Sequence, residues 1–114
     1  MIPFELSTLS HTWFIDLDGT ILDHNAYLDG EDKLLKGVIE LWNSIPENDY
    51  IIITTGRDEK YRDSTLKFLQ KNNIRYTSAL FNLPLGERII INDIKPAGLR
   101  TAIAWNVERN KGFE

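Results

Sequence analysis

Two short stretches constrain the fold more than anything else in the chain. Residues 50–54 (Tyr-Ile-Ile-Ile-Thr) and 88–92 (Arg-Ile-Ile-Ile-Asn) are unbroken β-branched runs, and turn-forming residues follow the first as Thr55-Gly56-Arg57. β-Branched side chains favour the pleated strand. A strand that is apolar at every position, rather than at every second one, is covered on both faces, which is the habit of parallel sheets flanked by helices. Residues 12–17 (Thr-Trp-Phe-Ile-Asp-Leu) have the same character and are stopped by Asp18-Gly19-Thr20. Residues 75–81 and 102–107 read as two further strands.

The intervening segments have a different period. In residues 34–45, Leu34, Leu35, Val38, Ile39, Leu41, Trp42 and Ile45 recur at three- and four-residue spacing, so an amphipathic helix is predicted. Asp29 or Asp32 is available to cap its start, and Pro46 stops it. A second helix is predicted over 58–72, with Tyr61, Thr65, Phe68 and Leu69 on one face and Asn72-Asn73 as a left-handed exit. Residues 20–32 read as a polar loop with a turn at Asp29-Gly30, residues 82–87 as a loop, and 108–114 as a polar tail. Strands alternating with helices define an α/β fold with a parallel sheet. In such sheets ligands bind beyond the carboxyl ends of the strands.

A length of 114 residues corresponds to one domain, 1–114. With 13 basic against 17 acidic residues the net charge is −4, which argues against a broad nucleic-acid footprint. The chain has no cysteine, which excludes thiolate chemistry and disulfides and fits the cytoplasm. No apolar run reaches the roughly 18–20 residues of a membrane span. Residues 1–10 carry no basic residue and include Glu5, unlike a signal peptide.

Three predicted strand endings carry chemistry: Asp16-Leu17-Asp18-Gly19-Thr20, Thr54-Thr55-Gly56-Arg57 and Asn92-Asp93. On one rim they would bring together carboxylates, a hydroxyl and a guanidinium. Close carboxylates repel unless protonated or bound to a cation. An all-oxygen set suits Mg²⁺, which commonly keeps waters and holds a phosphate. Thr55, Arg57 and the backbone N–H groups after each strand could take the other phosphate oxygens. A calcium loop does not fit: counted from Asp16, glycine falls at the fourth position, where an EF-hand needs it at the sixth, and the twelfth is Tyr27 rather than glutamate. Each fragment alone reads more simply as a turn; their order along the chain makes the site.

These motifs resemble those of the haloacid dehalogenase superfamily of phosphohydrolases. Residues 14–20 look like its first motif, Asp-x-Asp-Gly-Thr after an apolar strand. Residues 51–57 look like its second, a strand ending in Ser/Thr followed by Gly-Arg, and residues 89–93 like its acidic fourth; the likeness spans 12–107. The resemblance implies a Rossmann-like open parallel sheet and a phosphatase that works through an aspartyl-phosphate. It makes Asp16 the nucleophile and Asp18 the acid and base. Mg²⁺ would be held by Asp16, the backbone carbonyl of Asp18, and Asp93. Thr55 would hydrogen-bond the phosphoryl group, with Gly19, Thr20, Gly56 and Arg57 around the substrate.

The family's third motif, a basic residue usually lysine, has no helix to carry it here. Arg88 falls at the wrong end of its predicted strand, so Lys95, just beyond Asp93, and Arg57 are the candidates. Nor is there room for a cap: the loops after the first and third strands are too short to fold alone. A capless core leaves the site open, to a phosphorylated macromolecule end or to a neighbouring copy in a homo-oligomer. The favoured substrate is a small phosphorylated metabolite such as a sugar phosphate. The rivals are a polynucleotide end phosphatase, a receiver-like signalling module with Lys95-Pro96 after a late strand, and a phosphate-binding protein without turnover. His24, in the loop after Asp16, reads as an ordinary loop residue. Trp13, Trp42 and Trp105 read as core.

Overall fold

A computed structural model describes residues 2–113. Three strands, β1 (Thr12–Asp16), β2 (Tyr50–Thr54) and β3 (Ser78–Leu80), form one sheet in the order β1-β2-β3. Both pairings are parallel, with Asp16 opposite Thr54 and Thr54 opposite Leu80. The carboxyl ends of all three strands therefore share one rim. Helix α1 is a single turn, Ala26–Asp29, and α2 is Val38–Ser44. A 3₁₀ turn, Glu59–Tyr61, leads into α3, Arg62–Lys71. The result is one domain in which a small parallel sheet carries few helices.

The β2 run is fully covered on one face only: Ile52, on the other face, is half-buried, and Phe14 beside it in β1 is 55% exposed. Ile51 and Ile53 are fully buried and join Ile15, Leu17, Ile21, Leu22, Val38, Leu41, Trp42, Leu69 and Ile74 in one core. α3 presents Thr65 and Leu69 to that core, and Asp58 caps the turn before it by accepting the Lys60 backbone N–H. Asn73 leaves the helix with φ 58°, the left-handed exit read from the sequence. Trp42 is buried, and Trp13 and Trp105 pack against the core half-buried. Among the described residues no helix is long and apolar enough to cross a membrane.

Four sequence expectations need correcting. The helix predicted over 34–45 begins only at Val38. Gly37 breaks it with φ 81°, and a Cβ there would come 1.9 Å from the Phe113 carbonyl oxygen, so no other residue fits. Neither Asp29 nor Asp32 caps α2; Asp29 ends α1, and Asp32 points elsewhere. Residues 88–92 form no strand, and Ile89 and Ile91 are 81% and 92% exposed. A parallel strand after β3 requires the chain to return to the far end of the sheet, which takes a dozen or more residues. The residues between Leu80 and Arg88 are too few, and the chain stays at the rim. Residues 102–107 also form no strand; there Trp105 packs edge-on against Phe4 and Phe113.

The polar tail is not loose. The Asn110 backbone N–H donates to the Gly19 carbonyl at 2.9 Å, its side-chain oxygen accepts the His24 N–H at 2.9 Å, and the Phe113 N–H donates to the Lys36 carbonyl at 2.7 Å. Phe113 is buried in the core. The chain end thus ties the loop after β1 to the segment before α2.

Candidate active site

The rim at the carboxyl ends of β1 and β2 holds the first two sequence motifs. Asp16, the last residue of β1, keeps its side chain 36% exposed. Thr20 Oγ1 donates to Asp16 Oδ2 at 3.1 Å, and Arg88 Nη1 donates to Asp16 Oδ1 at 2.9 Å. Arg88, set aside on sequence grounds, is thus the basic group beside Asp16. It arrives there because the chain leaves β3 at the rim and never crosses the sheet.

Two residues further on, the Asp18 side chain lies against Arg57 and stays 18% exposed. Its carboxylate accepts the Thr55 hydroxyl at 3.2 Å and Arg57 Nε and Nη2 at 3.2 and 2.9 Å. Arg57 in turn gives Nη1 and Nη2 to the two oxygens of Asp32 at 2.9 and 2.7 Å, and Nη1 to Thr65 Oγ1 at 2.8 Å. A guanidinium has five N–H groups, and all five are spent on Asp18, Asp32 and Thr65. The Tyr27 ring lies 3.8 Å from the guanidinium carbon, and Tyr61 packs edge-on to Tyr27 at 4.8 Å. Burial of Arg57 works against its charge, but the hydrogen bonds it donates to Asp32 and then Asp18 outweigh it and hold the group firmly protonated. Burial also raises the Tyr27 phenol, helped by the nearby charge of Asp18.

This geometry sorts the expected residues. Asp16, Asp18 and Thr20 gather at the rim as expected. Thr55 is fully buried, with its hydroxyl on Asp18 and accepting the Arg57 N–H at 3.0 Å, so it stands behind Asp18 rather than toward solvent. Arg57 is buried as well, and its committed donors leave none for a substrate. The backbone N–H groups expected to cradle phosphate close the turn on itself: Gly19 N–H donates to Leu22, and Thr20, Ile21 and Leu22 all donate to the Leu17 carbonyl. Gly56 lies beneath Leu83 and Leu85. Lys95 is exposed in a turn closed by the Gly98 N–H on its carbonyl. Asp93 is exposed, and its carbonyl accepts the Thr101 hydroxyl.

The Mg²⁺ set therefore fits in part. Asp16 and the Asp18 carbonyl are oxygen donors of the right kind, and Mg²⁺ is commonly held by one or two carboxylates together with a phosphate. Asp93 does not join them: among the described residues no three His, Cys, Asp or Glu side chains are gathered to hold a metal.

Sequence reasoning missed three features: Arg88 at Asp16, Asp32 at Arg57, and a buried knot at the opposite end of β1. There Asp49 accepts the Trp13 indole N–H at 2.9 Å and the His11 backbone N–H at 2.9 Å, and pairs with His11 Nδ1 at 2.8 Å. Burial pushes the Asp49 carboxyl up, but the Trp13 and His11 hydrogen bonds together hold it below its ordinary value. Comparison of the chain with protein-family models, curated proteins and solved structures gives no match.

Proposed function

We propose that the chain is a phosphate monoester hydrolase with a Rossmann-like core of the haloacid dehalogenase type. The observation that carries this reading is the half-exposed Asp16 at the end of a parallel strand, with Arg88 on one oxygen and Asp18 two residues on. Asp16 attacks phosphorus, the ester P–O bond breaks, and Asp18, entering the step as the carboxylic acid, gives its proton to the leaving oxygen. Water then attacks the aspartyl-phosphate, Asp18 takes back a proton, and inorganic phosphate leaves. Arg88, hydrogen-bonded to Asp16, carries a guanidinium suited to hold two phosphoryl oxygens at once. Mg²⁺, held by Asp16 and the Asp18 carbonyl, would offset negative charge on the phosphoryl group.

The favoured substrate is a small phosphorylated metabolite such as a sugar phosphate, which an open rim without a cap admits. The test is release of nitrophenolate from p-nitrophenyl phosphate. Release is expected with Mg²⁺ and not with EDTA. A protein inert toward aryl, sugar and nucleotide-end phosphates alike would overturn the reading.

A further inference from the structure

The five-donor arrangement around Arg57 is more than a pair of charges. Segments from four parts of the chain converge on one guanidinium: Asp18 after β1, Tyr27 in α1, Asp32 before α2 and Thr65 in α3. The two carboxylates differ in placement. The Asp32 side chain is 5% exposed and that of Asp18 18%, while the Arg57 side chain between them is 1% exposed. The buried carboxylate is the anchor, and the one facing the rim is the group being held. For stability alone, apolar side chains of similar volume commonly serve as well as a buried ion pair, so the cluster points to a demand for orientation.

We infer that Asp32 is a positioning residue: it locks the Arg57 fork, and the fork fixes the direction of the Asp18 carboxylate at the rim. This inference rests on the phosphatase reading, in which Asp18 exchanges a proton with the leaving oxygen. Asp32 reaches no substrate itself and acts only through Arg57. With Asp32 replaced, Nη1 and Nη2 each lose a charged acceptor, and the guanidinium is free to turn about its stem and carry Asp18 with it.

The experiment compares two esters on wild type and Asp32→Asn. Nitrophenolate leaves without a proton, whereas the alkoxide of glycerol 2-phosphate needs one. Misdirecting Asp18 is expected to lower kcat for glycerol 2-phosphate by about tenfold or more, and for p-nitrophenyl phosphate by no more than about threefold, with KM unchanged for both. A merely structural role lowers both esters equally, and that result overturns the inference. Wild-type protein inert toward both esters, and toward sugar and nucleotide-end phosphates as well, would instead overturn the phosphatase reading, and this inference with it. Should Asp32→Asn not fold, Arg57→Lys keeps the charge but loses the fork. The same bias between esters is expected of it, and equal losses again overturn the inference.

Discussion

Arg88 and Asp16 lie 72 residues apart in the chain and meet at 2.9 Å on the rim of the sheet. Both are substantially exposed, with side chains 42% and 36% accessible. Such pairs contribute only about 0–1 kcal/mol to stability. Arg88→Ala is therefore expected to leave the melting temperature nearly unchanged. Its loss should lower kcat/KM for p-nitrophenyl phosphate by at least about tenfold, as removal of a charge-stabilising donor does elsewhere. Lys95→Ala is expected to change neither quantity. Steady-state kinetics beside thermal denaturation check both.

Asp49 is expected to contribute to the loss of stability in acid. Its carboxyl titrates below the ordinary value of 3.8 in the folded protein, since the Trp13 and His11 bonds outweigh the cost of burial. Its contribution is complete above the unfolded value and is lost as pH falls through the lower, folded one. Asp49→Ala strips that contribution and leaves the Trp13 indole and the His11 N–H without their acceptor. A loss of about 2–4 kcal/mol is expected near neutrality. The pH dependence of stability below about 4 should flatten in the variant. Urea denaturation at several pH values measures both.

Gly37 and Gly112 stand where two backbones nearly touch. Gly37→Ala combines a left-handed backbone with a Cβ 1.9 Å from the Phe113 carbonyl oxygen, so the tail has to move. A loss of more than about 1 kcal/mol is expected. Phe113 should leave the core and the segment 108–113 should become susceptible to proteolysis. A Gly37→Ala protein with wild-type stability and a protected tail would contradict this packing.

The sheet was legible where the local pattern and the tertiary contacts agree. Ile51 and Ile53 look like the centre of a parallel sheet and are buried there. The same pattern at Ile89–Ile91 misleads, because strand propensity says nothing about whether the chain can get back to pair. Arg57 had no sequence signal for burial; an arginine after a strand is usually at the surface, and only the placement of Asp18 and Asp32 around it explains its position. Asp49 and His11 are separated by 38 residues, and no spacing rule links them. Because Ile89 and Ile91 make no core contact, the double change Ile89→Ser with Ile91→Ser is expected to alter stability by no more than about 0.5 kcal/mol, measured by urea denaturation.

The central claim is that Asp16 is the nucleophile. Asp16→Asn keeps the shape of the side chain and can still accept from Thr20, so the fold, followed by circular dichroism, is expected to persist. Hydrolysis of p-nitrophenyl phosphate in Mg²⁺ should fall to background in this variant. Hydrolysis retained at the wild-type rate would contradict the account.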